Sequence, residues 1–229
     1  MKLEHTGERL IESCYLGSPG DYLIYLLHRA AYSFAREHLG GKTVLDYGCG
    51  SGLGSAVLAE GCRHITAIDI SPEAIAYARE KYQAPNICFQ HAEPLEKAPL
   101  PFAEGSFEGV VSLQVIEHIA DAGRYLAEIS RVLKPGGVCI VATPDRGLRL
   151  LPFQKPWNMW HVREFSFRQF DRLLKHYFCS VQLYRMGGPA ELLGIELSRI
   201  RLMKWLTLPV TLPVTPERIR IAGLSFLKK

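Results

Sequence analysis

One stretch restricts the possible folds of this chain more than any other, and it reads V-L-D-Y-G-C-G-S-G-L-G over residues 44–54. An apolar strand from Thr43 to Leu45 runs into Asp46, four glycines follow within seven residues, and a helical segment begins at Ser55. Glycine accepts positive φ angles and lets another molecule approach the main chain. A strand, a glycine turn and a helix N-terminus in this order predict a site for a nucleotide-like ligand.

The spacing of the glycines separates two classes of ligand. A dinucleotide loop needs the pattern G-x-G-x-x-G, whose third glycine packs the helix on the strand. Counting from Gly48 that third position is Leu53, and counting from Gly50 it is Ser55, so neither register fits. The spacing is instead D-x-G-x-G-x-G, starting at Asp46. An acidic strand end repels a pyrophosphate and attracts an ammonium group, so an adenosine ligand with an amino-acid tail is favoured over NAD.

A second carboxylate stands at the end of the next predicted strand. This strand covers residues 64–68 and is followed by Asp69, which lies 19 residues after Gly50. A carboxylate at about this distance from the loop can accept hydrogen bonds from both ribose hydroxyls. The two acidic strand ends together leave a glycine turn without a ligand as the weaker alternative.

With these residues the chain resembles the class I S-adenosylmethionine-dependent methyltransferases, whose first motif has the D-x-G-x-G-x-G form. The segments V-I-E-H at 115–118 and R-V-L-K-P-G-G at 131–137 also resemble the small-molecule group of methyltransferase type 11, the ubiquinone-biosynthesis type. The resemblance implies S-adenosyl-L-methionine as cofactor, S-adenosyl-L-homocysteine as product and a small-molecule methyl acceptor.

The resemblance also assigns the strand ends to parts of the cofactor. The first strand end and its loop would hold the amino-acid end, the second would take the ribose and adenine, and the fourth would reach the methionine part. The third departs from the family pattern, because His91 stands where an acidic residue is expected. The residues expected to bind the cofactor are Asp46, Gly48, Gly50, Gly52, Asp69, Ile70, Ala92, Glu93, Leu113 and Gln114.

Short apolar strands alternate with helical segments from residue 43 to 142, which predicts a mostly parallel sheet buried on both faces. We expect a Rossmann-like α/β fold with seven strands, helices on both faces, an N-terminal helical arm and a C-terminal helical insertion. A single methyltransferase domain over 1–229 would contain an N-terminal arm and helix (1–40), a cofactor-binding core (41–144) and an acceptor-side part (145–229).

Outside the core, five elements are predicted from spacing alone. Ser166 and Gln169 form a capping box that opens a helix to about Tyr177. Apolar residues recur at helical intervals over 21–38 and again over 189–206. Residues 180–185 alternate like a strand, and residues 218–227 would form a last edge strand.

Two histidines are candidate catalytic groups. A sulfonium methyl is already activated, so an enzyme must mainly align it with the nucleophile and exclude water. A hydroxyl nucleophile must in addition lose a proton, and His118 and His161 are the candidate bases. Alternatively, His118 is structural or contacts the cofactor, and His161 hydrogen-bonds Glu164. Glu117 and His118 are also candidate magnesium ligands, but Gln114 replaces a second carboxylate, so no metal is expected.

These observations predict an S-adenosylmethionine-dependent methyltransferase that acts on a small molecule, at oxygen. The segments T-G-E-R at 6–9 and H-x-x-E-F-S at 161–166 resemble bacterial methyltransferases, some linked to cell-surface polysaccharide synthesis; quinone-type metabolism is the other context considered. Two alternatives remain: a degenerate methyltransferase that binds cofactor without turnover, and an RNA or protein methyltransferase. The segment S-L-Q-V at 112–115 differs from the N-P-P-Y-like motif of amine methylation.

The composition restricts which partners this chain is expected to bind and in which compartment it is expected to work. The 229 residues carry a net charge of +4 without a run of five like charges, so there is no strong nucleic-acid signal. Six scattered cysteines without a C-x-x-C pair indicate reduced thiols. A charged N-terminus and the lack of about 18 consecutive apolar residues predict neither a signal peptide nor a membrane span. We expect a cytoplasmic protein, with the oligomeric state left open.

Overall fold

The computed structural model describes residues 19–227. The T-G-E-R segment at 6–9, and with it most of the predicted N-terminal arm, lies outside the described residues. The described chain forms two compact units. The first unit contains residues up to 115 together with 124–142, and the second contains 116–123 and the chain from 143 onward. The single-domain interpretation of the sequence stays a prediction.

The first unit is built on a parallel sheet with the strand order β3-β2-β1-β4-β5. The order reverses between β1 and β4, and such a switch point opens a crevice at the carboxyl ends of the strands. This confirms the Rossmann-like parallel sheet. The prediction of seven strands is wrong for the described residues, which form five: β1 Thr43–Tyr47, β2 His64–Asp69, β3 Ile87–His91, β4 Phe107–Leu113 and β5 Leu133–Ala142.

Four helices accompany these strands: α1 Pro19–Leu39, α2 Leu53–Ala59, α3 Pro72–Lys81 and α4 Ala122–Val132. The prediction of a helix over 21–38 is therefore confirmed. α3 begins with a serine cap, because the Ser71 hydroxyl accepts the Ala74 N–H at 3.2 Å and Pro72 takes the first helical position. Buried apolar side chains of α1, α2, α3 and the strands form one core cluster, which fixes the strand ends that carry the glycine loop.

The second unit is helical. It contains a 3₁₀ turn, Ile116–His118, and then α5 Arg146–Arg149, α6 Phe167–Tyr177, α7 Ala190–Leu206 and α8 Glu217–Leu227. α6 starts with a capping box in which Ser166 and Gln169 bond reciprocally, as their spacing predicts. α7 confirms the predicted helix over 189–206. Among residues 19–227, no helix is long and apolar enough to span a bilayer.

Both strands predicted for the C-terminal part are wrong. Residues 181–189 have no regular secondary structure, and the alternating apolar side chains Val181 and Leu183 are only partly buried. Residues 218–227 belong to α8. The alternation of R-I-R-I conceals a helical spacing in which Arg220 and Leu224, four residues apart, are both buried. Burial on one face of a helix therefore decides the structure of this segment.

Candidate functional site

The glycine loop in the first unit needs glycine for both conformation and space. Gly48 and Gly52 have φ angles of 87° and 83°, a region that side chains disfavour. A Cβ atom at Gly48 would lie 2.4 Å from Val115 Cγ2, and one at Gly52 would lie 2.7 Å from Ala78 Cβ. At Gly50 an added Cβ would meet no described atom within 4 Å. The loop is therefore packed against protein at two glycines and open at the one between them.

Asp69 joins the end of β2 to this loop. Its Oδ2 accepts the Gly50 N–H at 2.9 Å, and its Oδ1 accepts the Ser71 N–H at 2.9 Å. An ionised carboxylate has about four acceptor positions, so these two bonds leave capacity for a diol. Ile70, the next residue, is 58% exposed and offers an apolar surface beside the carboxylate. The predicted ribose and adenine residues are thus adjacent, and their ligand roles stay predictions.

The end of β3 is tied to the same place. The Ala92 N–H donates to Asp69 O at 3.0 Å, and a ring nitrogen of His91 lies 3.2 Å from Ile70 O. Ala92 is buried, whereas Glu93 is exposed and pairs with Lys97 at 3.7 Å. The departure from the family pattern at His91 therefore places a ring, rather than a carboxylate, against the β2 turn.

Asp46 is fully buried at the end of β1. Its Oδ2 accepts the Ser55 hydroxyl at 2.7 Å, and its Oδ1 accepts the Tyr32 hydroxyl at 3.3 Å. Burial raises the pKa of Asp46 to about 7. The two hydrogen bonds act to lower this pKa, whereas the charge of Asp69 acts to raise it. The structure thus gives Asp46 two protein partners that the sequence analysis missed, and its role toward an ammonium group stays a prediction.

The turn after β4 adopts an unusual backbone conformation. Gln114 has a φ of 59°, the only positive value at a non-glycine residue in the described chain, and its N–H donates to Ala142 O at 2.8 Å. Side chains rarely occupy this region, and such residues cluster at functional sites. The preceding Leu113 is buried, and Val115 lies against the glycine loop. The strand end predicted to reach the methionine part therefore adjoins Gly48.

The second unit contains a buried carboxylate in the 3₁₀ turn that follows β4 in sequence. Glu117 is fully buried, and its Oε2 accepts the Thr143 hydroxyl at 3.0 Å. Its Oε1 has no hydrogen-bond partner. Its backbone carbonyl accepts the N–H groups of Val162 and Arg163 at 2.9 and 3.2 Å, which fastens the turn to the segment around His161. Burial raises the pKa of the Glu117 carboxyl, although the nearby His161 opposes this rise.

His161 is held in one tautomer. Its Nδ1 donates to Glu164 Oε1 at 2.8 Å, and its Nε2 lies 2.9 Å from the Asn158 amide nitrogen. The Trp160 N–H donates to Asn158 Oδ1 at 3.1 Å, which orients this amide so that Nε2 accepts. Arg149 Nε donates to both oxygens of Glu164 at 3.1 Å. Burial alone would raise the pKa of Glu164, but the His161 bond and the Arg149 charge outweigh it and lower that pKa.

His118 stands beside this pair. Its Nδ1 lies 3.1 Å from Trp160 O, and its ring meets the His161 ring edge to face, with the centroids 4.9 Å apart. One potential ligand atom from each of Glu117, His118 and His161 lies within 4.8 Å of the other two. The structure therefore brings together both predicted catalytic histidines and adds Glu117 to them.

We call Glu117, His118, His161 and their hydrogen-bond partners the histidine cluster. Some of these partners could not be identified from the sequence. The predicted contact between His161 and Glu164 is confirmed, and the H-x-x-E spacing was its signal. Arg149, Thr143 and Asn158 are distributed along the chain without a shared motif, so only the folded structure identifies them as partners.

The sequence matches known methyltransferases over its cofactor-binding core. Residues 45–141 match the family model described as a methyltransferase domain. A protein of Mycolicibacterium smegmatis named "Probable S-adenosylmethionine-dependent methyltransferase" is 32% identical over 170 residues, which are 74% of this chain and 63% of that protein. Residues 45–141 are thus a methyltransferase domain of the class I S-adenosylmethionine-dependent type. S-adenosyl-L-methionine is the cofactor that these matches imply, as the glycine spacing predicts.

Two further comparisons agree with this match. The ubiquinone biosynthesis O-methyltransferase of Caulobacter vibrioides is 36% identical over 121 residues, which cover 53% of this chain and 48% of that enzyme. An S-adenosylmethionine-dependent methyltransferase structure from Mesorhizobium loti has a TM-score of 0.59 at 19% identity, covering 78% of this chain and 95% of the other, which shows the shared fold. The chain spans about half to two thirds of the length of the two sequence relatives.

Proposed function

We propose that this protein transfers the methyl group of S-adenosyl-L-methionine to a hydroxyl oxygen of a small-molecule acceptor. The observation that carries the choice of oxygen is the buried pair of His161 and Glu164, next to His118. A histidine that donates one N–H to a carboxylate is the usual arrangement of a general base. An acceptor atom that carries no proton to be removed for methyl transfer would not need such a pair.

The cofactor half of the proposal rests on the first unit. Asp69 has remaining acceptor capacity for the ribose hydroxyls, Ile70 offers an apolar surface for the adenine, and the loop is open at Gly50. Gly48 and Gln114 would approach the amino-acid and methionine parts through their main chain. These features support a site for S-adenosyl-L-methionine, which would supply a sulfonium methyl group activated for displacement.

The proton of the acceptor is the remaining chemical problem. The pKa of an alcohol or phenol hydroxyl lies well above neutral pH. Methyl transfer to its oxygen therefore benefits from a base that removes the proton. We assign this role to His161, with Nε2 as the receiving atom once the Asn158 amide turns away. Glu164 would stabilise the resulting imidazolium through its bond to Nδ1. Arg149 keeps Glu164 ionised and correctly oriented, and His118 would position the acceptor.

The biological context belongs to the same proposal. The name of the Caulobacter vibrioides relative supports a hydroxylated quinone-type ring, and a sugar hydroxyl of a cell-surface polysaccharide is the second candidate acceptor. A cytoplasmic location, predicted from the sequence, also stays with the proposal.

A matched acceptor panel tests the proposal. The full chain would be incubated with S-adenosyl-L-methionine and pairs of aromatic or sugar acceptors that differ only in carrying a hydroxyl or an amine. We expect S-adenosyl-L-homocysteine to form with the hydroxyl member, and His161→Gln to lower kcat by about 100-fold or more. His176→Gln, an exposed histidine of α6, is the control. Turnover with amines only, or cofactor binding without turnover on any acceptor, would contradict the proposal.

A further inference from the structure

The histidine cluster contains a polar atom whose environment is incomplete. Glu117 Oε1 is the only buried side-chain nitrogen or oxygen in the described part of the chain that has no hydrogen-bond partner. A buried carboxylate is costly unless it is paired, hydrogen-bonded or coordinated to a cation. The other oxygen, Oε2, already accepts the Thr143 hydroxyl, so the incomplete side of the carboxylate is Oε1.

We propose that Glu117, His118 and His161 bind a divalent transition-metal ion. Their potential ligand atoms lie within 4.8 Å of one another without an ion. Around a four-coordinate ion with bonds of about 2.1 Å, neighbouring ligand atoms are about 3.4 Å apart. The set of ligand atoms within 4.8 Å, one from each residue, therefore needs to close by about 1.4 Å at most.

The orientation of the two histidines matches that of metal ligands. A histidine that binds a metal commonly donates its other ring N–H to a carboxylate or a backbone carbonyl. Nδ1 of His161 donates to Glu164 at 2.8 Å, and Nδ1 of His118 lies 3.1 Å from the Trp160 carbonyl oxygen. Nε2 is then the ligand atom of each ring. The ion would replace the Asn158 amide at Nε2 of His161.

The donor set selects the kind of ion. Two imidazole nitrogens and one carboxylate oxygen suit Zn²⁺, Fe²⁺ and Co²⁺, whereas Mg²⁺ and Ca²⁺ prefer oxygen ligands throughout. Three protein ligands also leave a position for a further oxygen atom, as in catalytic sites. The sequence predicts no metal, because Gln114 replaces a second carboxylate, whereas the fold brings His161 close enough to be the third ligand.

The role of the ion rests on the proposed function, whereas its binding does not. An acceptor hydroxyl that coordinates a divalent ion has a lowered pKa and loses its proton near neutral pH. The ion would then replace His161 as the group that activates the acceptor, and the proton would leave to solvent. Glu164 and Arg149 would orient His161 in either case.

Metal titration of the tag-free full chain tests the site. After treatment with EDTA and desalting, the protein would be titrated with Zn²⁺ by calorimetry and with Co²⁺ by visible absorption. We expect one equivalent of each ion to bind, with Co²⁺ bands that report nitrogen and oxygen ligands. Glu117→Gln and His118→Ala should each weaken binding by about 100-fold or more. His118 is only half-buried, so this variant tests the site even if Glu117→Gln fails to fold.

His176→Ala, which removes an exposed histidine of α6, is the matched control and should bind like the wild type. A wild-type chain that binds neither ion stoichiometrically would overturn the metal site, as would binding that His118→Ala leaves unchanged. Failure of the proposed function is a separate result. Stoichiometric metal binding without transfer to any hydroxyl supports the site and overturns oxygen methylation, whereas transfer by metal-free protein without metal binding overturns the site alone.

Discussion

At the scale of single residues, Asp69 connects the fold to the cofactor site. It accepts two backbone N–H groups and would add the ribose hydroxyls. Asp69→Ala should weaken binding of S-adenosyl-L-homocysteine by about 1.5–3 kcal/mol, the scale of hydrogen bonds to a charged group. Isothermal titration measures this change. Asp69→Asn, which keeps one acceptor oxygen and the side-chain shape, should lose less, and equal affinity for all three proteins would refute the ribose assignment.

Asp46 gives a pH dependence at the same scale. Burial raises its pKa from 3.8 to about 7, so the folded protein holds this proton more tightly than the unfolded chain does. Between about pH 4 and pH 7, stability should therefore fall as the pH rises, by up to about 1.4 kcal/mol per pH unit from this group. The contribution is largest below pH 4 and is lost above pH 7.

Urea denaturation of the wild type and Asp46→Asn at pH 5, 6, 7 and 8 measures this contribution. The amide cannot ionise, so the variant should lose less stability than the wild type as the pH rises through this window. Parallel curves for the two proteins would show that Asp46 ionises normally in the folded state.

At the scale of secondary-structure elements, α8 offers a direct comparison between a helix and a strand. Arg220 is buried, donates to the Glu217 carboxylate at 2.9 and 3.0 Å, and donates to Pro156 O at 2.7 Å. Arg220→Ala should cost about 1.5–3 kcal/mol of unfolding free energy, the scale of a hydrogen bond to a charged group, because the partly buried Pro156 carbonyl loses the charged donor that Arg220 supplies. Arg218→Ala, an exposed position, should cost less than about 0.5 kcal/mol.

Thermal or urea denaturation of both variants discriminates the two structures. In a strand, residues 218 and 220 would share a face and respond alike, whereas in a helix they do not. Similar losses for both variants would therefore contradict α8.

The same element shows where sequence patterns stop being informative. β1 and β2 contain short apolar runs that end at Asp46 and Asp69, and local patterns of this kind predict them well. Residues 218–227 alternate in polarity and also carry a helical spacing, so tertiary burial of Arg220 and Leu224 decides between the two. The polarity pattern alone cannot decide whether the arginines or the isoleucines of this segment are buried.

At the scale of the whole molecule, the two sites differ in how far they can be predicted. The cofactor loop is a contiguous motif, and Asp69 stands at a regular distance from it, so both follow from spacing. Tyr32 is a distant helical residue whose bond to Asp46 appears only in the fold. In the histidine cluster, His118 and His161 are recognisable as reactive residue types, but the orphaned oxygen of Glu117 depends on burial that no local pattern encodes.

The central claim concerns the cofactor, and isothermal titration of the purified full chain with S-adenosyl-L-homocysteine tests it most directly. NAD serves as the control ligand, because the glycine spacing and the acidic strand end disfavour a pyrophosphate. We predict one binding site of micromolar affinity for S-adenosyl-L-homocysteine and no detectable heat with NAD. Binding of NAD with no response to S-adenosyl-L-homocysteine would contradict the assignment of the glycine loop and, with it, methyl transfer as the function.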